Sequence, residues 1–304
     1  ETHLNDSSAQ VAVDEGTSLL IPITPKETRL TGTIPDEFKQ RNWIKPEIIT
    51  FRSSDGRDIP AMMYKPLDFD SSKKYPVVVF VHGAGYLQNV VRGWSYYYRE
   101  YLFHNRLTQR GYIVFEVDYR GSAGYGRQFR TDVYMHLGGK DLQDELEGLD
   151  YLAKLGYIDP ARVGIYGGSY GGFMTLMGLM LSDKYACGAA LRAVTSWENY
   201  YRHNQWYTNA RLGKPEENAE AYRKSSPLSF VDSIKKPVLI LHGMVDDNVF
   251  FQDAVQLIEK LQKAKKEFDV MVYPDEAHSF TNPDSWLDEY RRIEQYFDKY
   301  LMSK

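Results

Sequence analysis

Along this chain, short runs of apolar β-branched residues alternate with longer amphipathic stretches, the pattern of a parallel sheet whose strands are joined by crossover helices. The alternation predicts strands over residues 77–81, 113–117, 163–166, 189–194, 238–241 and 270–272, and helices over 95–110, 141–155, 170–181, 251–265 and 287–300. The middle strands are apolar on both faces, as strands covered from both sides must be. Ahead of them, EIITFRS and DIPAMMYKP bracket Ser54, Asp55 and Gly56. The Asp-Gly step predicts a tight turn, so a hairpin opens the folded region at Glu47. Residues 1–46 are rich in Thr, Pro, Asp and Glu, offer only strand-like segments at 18–23 and 27–30, and cannot build a core. They read as a tail or linker, and 47–304 as a single α/β domain, a mostly parallel central sheet with helices on both faces, without internal repeat or dividing linker.

Composition narrows the function classes. Lys plus Arg number 37 against 41 Asp plus Glu, a net charge of −4, which provides no basic field for nucleic acid. Hydrophobic residues make up 43% of the 304, enough for a core, yet no apolar run approaches the roughly 18 residues of a membrane-spanning helix. The lone cysteine, Cys187, excludes an intrachain disulfide and any multi-cysteine metal site, and leaves the compartment undefined between cytoplasm, periplasm and exterior. Between a helix and an apolar strand, Cys187 is expected to be a small buried residue. The chain begins with Glu1, and no signal-peptide pattern follows; the expectation is a processed or excised piece. Aromatic residues, 14% of the chain, suit an aromatic-lined pocket.

The segment RVGIYGGSYGGFMTLMGL is the most informative. A buried strand runs into Gly167-Gly168-Ser169-Tyr170-Gly171 and then directly into an apolar helix. A sharp strand-to-helix turn forces strained dihedrals on its central residue, and the flanking glycines leave room for backbone to close around it. Ser169 would thus stand above the sheet at a helix N-terminus, with the Tyr170 N–H available to an oxyanion. The plainer alternative is a serine that only caps the helix.

A nucleophilic serine needs a base, and on a sheet of this kind the order is Ser, acid, His. After Ser169 come His203, His242 and His278. His203 lies in an aromatic stretch, His242 ends a strand before Gly243, and His278 follows a strand in the loop PDEAHSF, where a mobile imidazole belongs. The acid should end the preceding strand, in LHGMVDDNV. Asp246 or Asp247 would accept the imidazole Nδ1–H and leave Nε2 free for the serine proton, while the other caps a helix starting near Phe250. The acidic run Asp141, Asp144, Glu145 and Glu147 reads as a solvated helix face, without imidazoles at metal-ligand spacing. DYRGSAGYG lacks the strand-loop-helix of a nucleotide cradle. No cofactor and no metal are expected.

Taken together, GGSYGG after a strand, HGMVDDNV, PDEAHSF and DYRGSAGYGRQF resemble the C-terminal catalytic domain of the prolyl oligopeptidase family of serine peptidases, particularly its dipeptidyl peptidase IV and acylaminoacyl peptidase branches. The resemblance runs from about residue 47 to the C-terminus and implies an α/β-hydrolase fold. It implies Ser169 as nucleophile, His278 as base and Asp246 as the acid, a choice the residues alone leave open. It implies an aromatic and apolar pocket for the residue before the scissile bond, formed by Tyr170, Val194, Trp197, Tyr200 and Val249, with Tyr207 as a second pocket tyrosine and Asn248 as a hydrogen-bonding partner of a substrate carbonyl.

Two departures stand out. Where the oligopeptidase and dipeptidyl peptidase branches place a tyrosine hydroxyl as second oxyanion donor, this chain reads VHGAGY, with His82. The alternatives are a backbone N–H from the Gly83-Ala84 turn, His82 itself, or Tyr86. Family members also carry a large upstream β-propeller, and TRLTGTIPDEF resembles the end of one, so the native protein is expected to continue upstream. The resemblance implies short peptides as substrates, cleaved by dipeptidyl or acyl-aminopeptidase or oligopeptidase action, and leaves room for a homodimer. A carboxylesterase on the same fold, or an inactive binding domain, are the competing readings.

Overall fold

The structure, a computed structural model, describes residues 32–302; the strand-like segments at 18–23 and 27–30 lie outside them. Contacts divide the chain into two units, Glu1–Trp43 and Ile44–Lys304. In the first, one short helix, α1 (Asp36–Lys39), follows Pro35 and carries a Lys39–Asp36 pair one turn apart.

In the second unit the hairpin forms at the expected place. Strands β1 (Glu47–Arg52) and β2 (Asp58–Tyr64) pair antiparallel around Gly56, which holds the φ of +85° that the turn requires. The following strands are β3 (Tyr75–Val81), β4 (Ile113–Val117), β5 (Ile158–Gly168), β6 (Cys187–Leu191), β7 (Val238–Gly243) and β8 (Phe268–Tyr273). They form one sheet of eight strands in the order β1-β2-β4-β3-β5-β6-β7-β8, parallel from β4 onward. The helices are α2 (Tyr98–Gln109), α3 (Arg127–Thr131), α4 (Lys140–Ala153), α5 (Tyr170–Leu181), α6 (Trp197–Tyr201), α7 (Gln205–Leu212), α8 (Ala219–Ser225), α9 (Gln252–Lys263) and α10 (Pro283–Phe297).

Because side chains alternate along a strand, each buried strand feeds two cores. Val77, Val79 and Val81 of β3 face one core with α4, α5 and α9, while Val78 and Phe80 face the other with α2 and α10. Helix α5 is buried from Tyr170 through Met180, which explains its uniformly apolar sequence. Cys187 is buried and its thiol is pushed up to about 12 by burial. This mixed, mostly parallel order with helices on both faces is the α/β-hydrolase fold.

Three expectations need correction. The strand expected over 189–194 ends at Leu191, because Arg192 turns into the left-handed region at φ +40° and donates its N–H to the Leu241 carbonyl (2.7 Å). Val194 therefore lies beyond the sheet. The stretch 197–225 folds into α6, α7 and α8, which the strand-helix alternation did not resolve. Lastly, Asp141, Asp144 and Glu145 are not solvated: all three are fully buried. Asp144 pairs with buried Arg120 at 2.7 Å, and Asp141 accepts the Tyr170 hydroxyl at 2.5 Å. Charge identity alone misled: fixed donors hold Asp141 and Asp144, whereas Glu145 is buried with no hydrogen-bond partner among the described residues, and burial pushes its carboxyl well up.

The tightest packing is backbone against backbone. A Cβ at Gly167 or Gly171 would fall inside contact distance of the Val81 carbonyl oxygen, and one at Gly172 would meet the Leu191 carbonyl at 2.6 Å. Gly171→Ala is expected to cost about 3 kcal/mol or more, since backbone atoms cannot yield as a flexible side chain can. Gly93→Ala, with nothing near its added methyl, should stay within about 1 kcal/mol; urea titration of both checks the contrast.

Candidate active site

The glycine contacts dictate the geometry of residue 169. Ser169 sits at φ +59°, ψ −115°, a conformation non-glycine residues adopt only where the surroundings over-determine it. Its N–H goes to the Leu191 carbonyl (2.9 Å), and its side chain makes no capping hydrogen bond to α5. The capping role is thus absent, and the Oγ is left facing a cavity of about 310 Å³.

His278, in the loop after β8, lines the same cavity. Its Nδ1 lies 2.8 Å from Asp246 Oδ2. With Nδ1–H donating to a carboxylate, Nε2 carries the lone pair. No hydrogen bond joins Ser169 Oγ to Nε2 in this structure; such contacts commonly tighten only around substrate. The loop is fixed at several points: Arg192 Nη1 donates to the His278 carbonyl (3.0 Å), and the Glu276 carboxylate accepts the N–H groups of Thr281 and Asn282.

Asp246 is buried just past β7. Burial works to raise its carboxyl, but hydrogen bonds from His242 and His278, the His278 charge and the Asn248 N–H outweigh burial and hold it well below the usual carboxylate range. The N–H groups of Asn248 and Val249 both reach its Oδ1 at 2.9 Å, and His242 Nε2 lies 3.2 Å from Oδ2. Asp247 is exposed. The expected cap on the next helix is missing: α9 begins after Phe251 without a side-chain cap. His203 instead stacks on Phe250 and contacts the Asn248 carbonyl at 3.0 Å.

Of the residues expected around a substrate, Gly83, Ala84, Tyr86, Tyr200, Tyr207 and Asn248 line the cavity. Tyr200 donates its hydroxyl to Asn248 Oδ1 (3.0 Å), which leaves the amide nitrogen of Asn248 for another partner. Val194, Trp197, Val249 and the Tyr170 ring do not reach the cavity. They are core residues behind it, with Trp197 stacked on Tyr207 at 5.9 Å. An aromatic residue next to a pocket residue is more simply accommodated as its support than as lining.

The oxyanion alternatives also separate. His82 is buried and engaged, with Nδ1 2.9 Å from the Gly83 carbonyl, Nε2 2.9 Å from Ser122 Oγ, and its ring stacked on Tyr119; burial lowers its pKa. It does not line the cavity. Ala84 is held at φ +60° by a Gly85 N–H to Gly83 carbonyl bond (2.8 Å), and its own carbonyl accepts the Tyr207 hydroxyl at 2.8 Å. The Gly83 N–H is already given to the Tyr97 hydroxyl oxygen at 2.7 Å. Tyr97 is a residue that sequence reasoning missed, along with Glu100, Arg192, Trp206 and Trp286 of the cavity wall. Nothing in their local pattern marks them, because elements distant in sequence bring them to Ser169.

These features are the arrangement that serine hydrolysis requires, and comparison with known proteins defines the class. Residues 94–304 match the model of the prolyl oligopeptidase family, and the chain belongs to that family of serine peptidases. It is 36% identical over 262 residues to human dipeptidyl peptidase 8, which covers 84% of this chain and 28% of that protein. Its structure is similar to that of a dipeptidyl peptidase 4 from Porphyromonas gingivalis, with a TM-score of 0.81 and 30% identity over 88% of this chain and 37% of that one. The Pyrococcus horikoshii acylaminoacyl peptidase matches with a TM-score of 0.78 and 27% identity, covering 87% and 43% of the two chains. This chain therefore spans less than half the length of these relatives. No helix among the described residues is long and apolar enough to cross a membrane.

Glu289 carries the pH signature of the site's supporting shell. It is fully buried, bonded to Arg192 Nη2 at 3.0 Å, and burial, only partly offset by Arg192, pushes its carboxyl up to about 7. The folded protein then holds a proton that the unfolded chain releases. Stability should fall as pH rises from the ordinary carboxylate range to about 7, by on the order of 3 kcal/mol. Urea titrations at pH 5 and pH 8 should show this decline in the wild type and a flattened dependence in Glu289→Gln.

Proposed function

We propose that this domain hydrolyses short peptides through an acyl-serine intermediate, and the observation that carries the reading is the Asp246–His278 pair sharing one cavity with a serine on a strained turn. Ser169 Oγ attacks the scissile carbonyl as His278 Nε2 takes its proton, and Asp246 holds the imidazole tautomer and stabilises the imidazolium. The proton passes to the departing amine. Water, deprotonated by the same imidazole, then releases the acyl group and restores the serine.

The Tyr170 N–H, without a partner among the described residues, is one oxyanion donor in this reading. The second is the hydroxyl of Tyr97. Its oxygen already accepts the Gly83 N–H, its proton has no acceptor among the described residues, and it borders the cavity beside Ser169. A Cβ placed on Gly83 would lie 3.1 Å from the Tyr97 hydroxyl and 3.8 Å from Ser169 Cβ, so the two side chains flank one space. The Gly83 N–H would then act through Tyr97, polarising its O–H. The Ala84 N–H remains open to contribute.

Tyr200 and Tyr207 supply the aromatic wall for the residue before the scissile bond, and the Asn248 amide a donor to a substrate carbonyl. Dipeptidyl peptidase and acylaminoacyl peptidase action both fit relatives of this similarity. A propeller upstream, screening the site and anchoring a substrate amino terminus, belongs to the same reading because the relatives are much longer than this chain.

Three measurements test it. A fluorophosphonate should label Ser169, and Ser169→Ala should lose both the label and peptide turnover, by about 10⁴-fold or more; retained turnover would refute the nucleophile. Turnover of Gly-Pro, Ala-Ala, acyl-alanine and simple ester substrates ranks peptidase against esterase action. Tyr97→Phe keeps the ring that packs edge-on against Phe80 and should lower kcat by about 100-fold. The loss should shrink for thionoester substrates, whose sulfur is a poor hydrogen-bond acceptor; faster turnover would instead mean that Tyr97 obstructs the site.

A further inference from the structure

The cavity beside Ser169 has two walls that belong to opposite faces of the sheet. Tyr86, Tyr200 and Tyr207 pack with the core of α4, α5 and α9, whereas Phe80, Tyr97, Tyr166 and Trp286 pack with the core of α2 and α10. Gly83, Gly168, Ser169 and His278 lie at the boundary. A scissile bond held at Ser169 has an acyl side and an amine side. With the acyl side assigned to Tyr200 and Tyr207, the second wall falls to the leaving amine.

The chemistry of that second wall is specific. Its aromatic rings form one cluster, with Phe80 5.2 Å from Tyr97 and 5.1 Å from Tyr166. Trp286 already carries cations on its faces, with the Arg99 guanidinium at 4.7 Å and that of Arg192 at 5.1 Å. Into this ring reaches one carboxylate, Glu100, in the first turn of α2. The Tyr290 hydroxyl donates to its Oε1 at 3.0 Å, and its own backbone N–H also supports the charged form. Arg192, the cation in the same wall, is committed elsewhere, to Glu289 and to the His278 carbonyl. Aromatic faces with one carboxylate that lacks a cation bonded to it are the elements of an organic-ammonium site.

Position agrees with this chemistry. Tyr97, the residue before α2, flanks Ser169 with its hydroxyl, and Glu100 follows three residues later in the first turn of that helix and lines the same cavity. A lysine side chain entering that cavity can bring its ammonium to Glu100.

We propose that this second wall is the subsite for the residue after the scissile bond and that Glu100 selects a basic side chain there. This rests on the serine peptidase reading and adds to it the substrate's leaving half. Burial pushes the Glu100 carboxyl up, against its own backbone N–H, the Tyr290 hydroxyl and the charges of His104 and Arg192. An ammonium in contact would favour its ionised form.

The test uses the 304-residue chain and quenched peptides identical except for Lys, norleucine or Glu after the scissile bond. Lys is expected to exceed norleucine by about tenfold or more in kcat/KM. Glu100→Gln should bring that ratio close to one, and Glu100→Asp, which keeps the charge, should retain part of it. Equal rates for Lys and norleucine in the wild type, an undiminished ratio in Glu100→Gln, or a preference for Glu, as Arg192 would produce, overturns the proposal. A second arm needs no peptide turnover. Butylamine should slow phosphonylation of Ser169 in the wild type more than butanol does, and lose this advantage in Glu100→Gln. If Ser169 labels but amine and alcohol act alike, the subsite alone falls; if folded protein does not label, the serine peptidase reading falls and the subsite with it.

Discussion

The structure depends on one close approach, that of the Val81 carbonyl at the end of β3 to the bare Cα atoms of Gly167 and Gly171. Only backbone without side chains can come so near, and that nearness sets how sharply β5 can turn into α5. The turn leaves Ser169 at φ +59° with its side chain unused for capping. Backbone strain of this kind costs about 1–3 kcal/mol and persists only where packing enforces it. Here the enforcement comes from α5, buried on every side, whose withdrawal would expose an entire apolar helix. Stability and the placement of the serine are therefore one property of the same contacts.

A second constraint is electrostatic. The interior holds an unusual number of acids, and burial raises the carboxyls of Asp118, Asp141, Glu145, Asp253 and Glu289. Asp246 goes the other way. Two backbone N–H groups and two imidazoles converge on it, more donors than burial can offset. It stays an anion under conditions where Glu289 takes up a proton. Carboxyls separated in this way can play different parts in one molecule, one as a fixed negative charge beside an imidazole and one that takes up a proton near neutrality in the packing behind it.

What could be read from the amino acids follows from how local each signal is. Helix α5 spans the residues expected of it, and β4 likewise, because each is bounded by strong signals next to an unmixed apolar run. The order of Ser169, Asp246 and His278 was legible because each falls at the end of a strand, and parallel strands deliver their ends to one edge. The choice of Asp246 over Asp247 was not local, since it turns on which carboxylate meets the Asn248 and Val249 amides and the two histidines. The buried acids of α4 were misread for the same reason: Arg120, which holds Asp144, lies 24 residues away. Tyr97 and Glu100 were invisible, being ordinary residues of a tyrosine-rich segment until the fold packs α2 over β4 and β2 and sets Tyr97 against Phe80 at the end of β3. Helices α6 to α8 are short and mixed in polarity, so neither period stood out.

The site thus sits where the two cores of a sheet meet at its edge, and the two walls of its cavity are built from separate parts of the chain. They are joined at one point. The Tyr207 hydroxyl of α7 donates to the Ala84 carbonyl, in the same turn whose Gly83 N–H is held by Tyr97 ahead of α2. Ala84, at φ +60°, is held between these two tyrosines. In the proposed reading the Tyr207 side takes the acyl half of a substrate and the Tyr97 side the amine half, so both halves bear on one turn, which is fixed by hydrogen bonds from each side.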